Sequence, residues 1–132
     1  MEEPKVARIL LVEDDIDVRP LMEHILGGAG YDVVSVETVT NARILLDANP
    51  FDLVVTDGKL IDGTGLDVAE KARAQGIAVL ILTGYALQLP QERLKLYDYL
   101  LKPVRPAEIL KAVERSLRMR DGDDVVPFPK TS

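Results

Sequence analysis

Short apolar runs alternate along this chain with stretches in which apolar residues recur every three or four positions. The runs at 7–12 (Ala7 to Val12), 31–36 (Tyr31 to Val36), 51–56 (Phe51 to Thr56), 77–82 (Ile77 to Leu82) and 97–101 (Tyr97 to Leu101) have the length and character of strands. Between them the periodicity turns helical. Leu21, Met22, Ile25 and Leu26 predict a first helix that Gly27-Gly28 should stop, and Ala42, Leu45 and Leu46 predict a second, ended by Asn49-Pro50. A third is expected over about Leu66 to Ala74. A last one starts at Pro106, a good first helical residue, and runs through Ile109, Leu110, Val113 and Leu117. Such an alternation predicts an α/β fold, a doubly wound five-stranded parallel sheet with helices on both faces. The third and fourth runs are apolar throughout rather than alternating, as central parallel strands require.

Composition narrows the possibilities. With 132 residues, 47% of them hydrophobic, the chain suffices for one domain with a proper core and is too short for two ordinary ones. The domain is expected over 1–120, with 121–132, "DGDDVVPFPKTS", as a disordered tail. No apolar stretch approaches the roughly 20 residues of a membrane span, and acids stand where a secretory leader would be basic, so a cytoplasmic protein is expected. The absence of cysteine excludes thiol chemistry and cysteine-ligated metals, and a single His24 removes most zinc chemistry. The net charge of −6 is uneven, with 7 Lys/Arg against 15 Asp/Glu in residues 1–90. That excess argues against a nucleic-acid partner for the first two thirds. The five basic residues of 105–120 could suit an acidic partner or nucleic acid, but several lie near a helix C-terminus, where cations offset the dipole, and nucleic acid is not expected.

In open α/β sheets, sites form beyond the carboxyl ends of the strands. Glu13 and Asp14 follow the first strand, Asp57 the third, Thr83 the fourth and Lys102 the fifth, so all five should share one edge. Each has an ordinary explanation too. An aspartate before a helix is normally a cap, a role expected of Asp15 or, preferably, Asp17, since Pro20 then falls in the first turn. Asp57-Gly58 and Thr83-Gly84 fit simple turns. Capping nevertheless leaves Glu13 and Asp14 unexplained. Unit negative charges about 5 Å apart repel by roughly 3 kcal/mol at an effective dielectric of about 20, a cost that a cation would offset.

Taken together, "ILLVEDD", "FDLVVTD", "DGTGL", "VLILTGY" and "YDYLLKPV" resemble the receiver domain of two-component response regulators over about residues 7–118. The resemblance implies a flavodoxin-like (βα)5 fold with strand order 2-1-3-4-5. It further implies that Asp57 is the phosphoacceptor, Glu13 and Asp14 the acidic pair, Thr83 the switch hydroxyl, Tyr99 the switch aromatic and Lys102 the phosphate-binding lysine. A cis Lys102-Pro103 bond follows from the same likeness. Magnesium or manganese would be held by Asp14, Asp57 and the backbone carbonyl of Lys59, with Glu13 acting through water. The implied donor is a sensor histidine kinase or a phosphotransfer protein. With no effector segment recognisable, the chain is similar to single-domain regulators, which are monomers or weak dimers that dock onto a target protein and are not enzymes in the ordinary sense. Two positions depart from the family pattern. Ile61 stands where proline is common, and Gly58 where an apolar residue is.

Other classes fit less well. A haloacid-dehalogenase-type phosphatase would place a second aspartate where Lys59 stands, and a flavodoxin-like nucleotide carrier would need a Ser/Thr/Gly-rich loop in place of Glu13-Asp14-Asp15. A receiver-like interaction module that never turns over phosphate remains the main alternative. Counting adds one structural expectation. Between Thr83 and a fifth strand at 97–101, Pro90 confines a fourth helix to 90–95, with Leu94 and Leu96 as anchors, so 85–96 should be a short or irregular segment that phosphorylation orders or shifts.

Overall fold

The computed structural model describes residues 6–84 and 88–121. The predicted alternation is present: β1 (Arg8–Val12), α1 (Val18–Gly28), β2 (Asp32–Val36), α2 (Val39–Ala48), β3 (Leu53–Asp57), α3 (Gly65–Ala74), β4 (Ala78–Thr83), α4 (Gln91–Leu94), β5 (Asp98–Leu101) and α5 (Pro106–Asp121). A small antiparallel ribbon, Lys59–Leu60 against Gly63–Thr64, joins β3 to α3. The five strands pair in parallel in the order β2-β1-β3-β4-β5, the expected doubly wound sheet. Among the described residues no helix is long and apolar enough to cross a membrane. The expected tail beyond Asp121 lies outside the described residues, as do 85–87 of the segment before α4.

Alternation within each strand builds two cores. On β1, Leu10 and Val12 join Val54, Ile81, Ala42, Leu46, Leu66 and Ala69 beneath α2 and α3. Ile9 and Leu11 point the other way, joining Val55, Leu80, Met22, Leu26, Ile109 and Val113 beneath α1 and α5. Each fully buried aliphatic side chain contributes about 1.5–3 kcal/mol. Both faces of β1, β3 and β4 are therefore covered, and the ends of the strands are what remains for chemistry.

Three local expectations are corrected in detail. Helix α1 ends at Gly28 as expected, but the two glycines form its last turn, and the left-handed exit is made by Gly30, at φ 98°, while Tyr31 N donates to Leu26 O. Asp17 occupies the position before α1 without capping it, because Asp15 Oδ1 instead accepts from Asp17 N at 2.8 Å and Val18 N at 3.1 Å. Helix α4 keeps within the limits expected, yet Pro90 sits just before it rather than in its first turn. Its anchors are Leu94 and Leu89, both buried, whereas Leu96 is 53% exposed. Arg93 ties the short helix to α3 through Glu70 (2.8 Å) and Asp67 (3.3 Å).

The ribbon after β3 is fixed from one side by Asp62. Its carboxylate accepts from Val39 N (2.8 Å), Thr40 N (3.0 Å) and Thr40 Oγ1 (2.9 Å), closing the N-terminus of α2. Amide donation to the charged form holds the Asp62 carboxyl below the usual aspartate range, and the amides of Asp17 and Val18 do the same for Asp15. With folded values depressed, their contribution is complete above the ordinary aspartate range and is lost as pH falls through the folded values. The urea midpoint should thus drop as pH falls below that range, and Asp62→Asn should have a lower midpoint at neutral pH and a flatter acid limb. Parallel curves for the two proteins would show that Asp62 does not carry this stability.

Candidate functional site

The carboxyl ends of β1, β3, β4 and β5 converge on one edge. Glu13 directly follows β1, and its amide donates to Val36 O (3.0 Å), which carries the chain across the end of β2. Glu13 is 5% exposed and Asp14 half-buried. Asp57 closes β3 with a side chain 13% exposed. One oxygen from each of Glu13, Asp14 and Asp57 lies within 4.8 Å of the other two. Opposite them, Lys102 Nζ stands 3.3 Å from Asp57 Oδ2 and 3.6 Å from Glu13 Oε1. Lys102 is presented from the end of β5 by a cis bond to Pro103, as expected, while its amide donates to Thr83 O (3.0 Å).

Among the described residues, these three carboxylates carry two more negative charges than Lys102 offsets when all three are ionised. The protein tolerates this at a cost. Burial, with Asp57 adding to it, pushes the Glu13 carboxyl above the usual glutamate range, although the Asp15 amide and Lys102 pull in the opposite direction. Closely spaced, partly buried oxygens suit a hard divalent cation, whose two charges equal that deficit. The donor set therefore fits magnesium. A groove of about 530 Å³ lined by Ile77, Leu96, Tyr97, Ser116 and Met119 opens at the opposite edge of the strands, away from this chemistry.

Of the other expected residues, Thr83 ends β4 and is completely buried, and Lys59 is exposed, its amide 3.4 Å from Asp57 Oδ1. Tyr99 lies within edge strand β5, 40% exposed and outside the carboxylate cluster. The structure adds residues that sequence reasoning missed. Arg19 donates from Nη1 to Glu13 O (3.2 Å) and lies 3.8 Å from Glu37, fixing the acidic turn to α1 and the start of α2. Glu13 itself accepts from Asp15 N (3.1 Å), so the acid has a turn-forming role in addition to its place in the cluster. Gly65 is needed for closeness, since a Cβ there would fall 2.2 Å from Asp57 O. In the sequence it stands within "DGTGL", eight residues after Asp57 at the start of a predicted helix.

Comparison with known proteins bears on the family and the fold. The family described as "Response regulator receiver domain" matches residues 9–114. The response regulator protein PilR of Pseudomonas aeruginosa is 37% identical over 119 residues, covering 86% of this chain and 27% of PilR. The chain thus spans about a quarter of the length of that relative. A CheY-like response regulator receiver domain protein from Methanospirillum hungatei superposes with a TM-score of 0.80 at 27% identity, covering 91% of this chain and all of the other. The receiver domain of the sensor histidine kinase PA1611 from P. aeruginosa, solved with a magnesium ion coordinated in its active-site cleft, gives a TM-score of 0.76 at 28% identity over 86% of this chain and 98% of that one.

Proposed function

The chain belongs to the response regulator receiver-domain family of two-component signalling, and on that premise we propose that it accepts a phosphoryl group on Asp57 from a phosphohistidine donor and signals by docking onto a target protein. The observation that carries the proposal is the cluster of Glu13, Asp14 and Asp57 facing Lys102 across the strand ends. The donor is a sensor histidine kinase or a phosphotransfer protein, and the setting is the cytoplasm. The protein is a phosphoacceptor rather than an enzyme acting on a separate substrate.

An Asp57 carboxylate oxygen forms the new P–O bond while the P–N bond to the donor imidazole breaks, its electron pair going to nitrogen. Two anions must meet for this to happen. Lys102, already 3.3 Å from Asp57, supplies positive charge to the phosphoryl oxygens. Asp14, Asp57 and the Lys59 carbonyl would hold magnesium, with Glu13 acting through water. Bound there, the ion would supply charge neutralisation during transfer. Receiver domains bind magnesium at such an acidic site, and the coordinated ion in the PA1611 receiver supports the same assignment here. Thr83 then turns its hydroxyl to the new phosphoryl oxygens, and Tyr99 on β5 takes up the space vacated, changing the surface beside β5.

Incubation with phosphoramidate, whose P–N bond mimics phosphohistidine, tests this directly. Intact mass should rise by one phosphoryl group with magnesium present and not in excess chelator. An unchanged mass in magnesium would favour the alternative of an interaction module that turns over no phosphate.

A further inference from the structure

Gly58, the residue directly after Asp57, has no positive φ to explain it; among the described glycines that conformation belongs to Gly30, Gly63 and Gly76. Space explains it instead. A Cβ on Gly58 would stand 2.5 Å from both Cβ and Oγ1 of Thr83 and 3.2 Å from Leu89 Cδ1. Thr83 is wholly buried, so its side chain fills the volume that any other residue at 58 would claim.

We propose that Gly58 is a positioning residue for Thr83: the vacancy at its α-carbon is the resting seat of the Thr83 side chain, out of which a phosphoryl group on Asp57 must draw it. The inference rests on the reading of Asp57 as phosphoacceptor and Thr83 as the hydroxyl that answers it. The two walls of the seat differ in stiffness. On the loop side, Gly58 N donates to Leu82 O (3.1 Å), Gly65 N donates to Gly58 O (3.0 Å), and Gly65 itself is pressed against the Asp57 carbonyl. On the other side Thr83 is the last residue of β4, followed by Gly84, at which a Cβ would have, among the described residues, Lys102 Cβ near it at 3.9 Å. A methyl group at 58 should therefore displace Thr83 rather than the loop. Since Lys102 N donates to Thr83 O, the displacement reaches the lysine's backbone as well. Leu89, the third atom near the seat, anchors the approach to α4, so the seat also joins the phosphoacceptor loop to that short helix.

Filling the seat with a methyl group raises the energy of the resting state alone, and a ligand that selects the drawn-out state must then bind more tightly. The test is calorimetric titration of beryllofluoride, a non-transferable phosphoryl mimic, in saturating magnesium. Wild type, Gly58→Ala, Thr83→Gly and the double variant are compared. Gly58→Ala should bind about fivefold more tightly or better, a typical coupling between linked states. Thr83→Gly removes both atoms that clash, so adding Gly58→Ala to it should leave affinity unchanged. An unchanged affinity in Gly58→Ala, or the same gain with and without Thr83, overturns the seat. If Gly58→Ala alone does not fold, the double variant should fold and bind like Thr83→Gly; its failure to fold equally overturns the proposal. No uptake by the wild type would remove the phosphoacceptor reading itself, and this inference with it.

Discussion

Asp57→Asn is expected to abolish uptake of a phosphoryl group from phosphoramidate while Asp62→Asn retains it. An amide oxygen carries no full charge and is a poor nucleophile, so the loss should be complete, with no species one phosphoryl group heavier in the intact mass spectrum. The fold should survive. Asparagine loses the ion pair with Lys102 at 3.3 Å and also loses repulsion from Glu13 and Asp14, each such pair being worth roughly 3 kcal/mol in opposite senses at an effective dielectric of about 20. Asp62 makes the comparison a sharp one. It lies five residues further along the same loop, but its carboxylate is engaged with Val39 and Thr40 at the start of α2. A phosphoryl adduct persisting in Asp57→Asn would place the acceptor elsewhere.

Asp14→Asn is expected to weaken magnesium binding by about tenfold or more, equivalent to about 1.4 kcal/mol, a modest share of the attraction between a divalent ion and one carboxylate oxygen. Without metal the same substitution should leave the urea midpoint equal or higher. The wild-type cluster holds three acids whose oxygens all lie within 4.8 Å, with Lys102 paired to two of them. Calorimetry with magnesium and a chelator-treated urea series read the two effects separately. Equal magnesium affinity in wild type and Asp14→Asn would exclude Asp14 from the metal site.

How much of this was legible beforehand varies with the kind of interaction. Apolar runs such as Leu10-Leu11-Val12 located the sheet because both faces of β1 are buried, and every residue of such a run then has to be apolar. Strand ends with acids attached located the edge at which the cluster forms. Of the two candidate capping acids the less favoured, Asp15, takes the role; Asp15 and Asp17 offer the same chemistry two residues apart. Only the path of the turn, held by Glu13 and Arg19, selects Asp15. Gly27-Gly28 signals a stop because glycine disfavours helix interiors, and α1 does end at Gly28; which residue takes the left-handed exit, φ 98° at Gly30, is not legible from the sequence. Composition alone offers Leu96 as an anchor, but it is 53% exposed. Leu89, hidden before Pro90 in what read as loop, fills that role by packing at the Gly58 seat. Close approaches of backbone to side chain, as at Gly58 and Gly65, depend on tertiary geometry that periodicity does not encode.

The central claim is that Asp57 carries the phosphoryl group, and chemical trapping tests it most directly. Protein treated with phosphoramidate and magnesium is reduced with borohydride, which converts an aspartyl phosphate to homoserine, then digested and sequenced by mass spectrometry. Homoserine at position 57 alone is the predicted result. Homoserine at Asp14 or Asp62, or at none of them in a sample whose intact mass had risen, would contradict it.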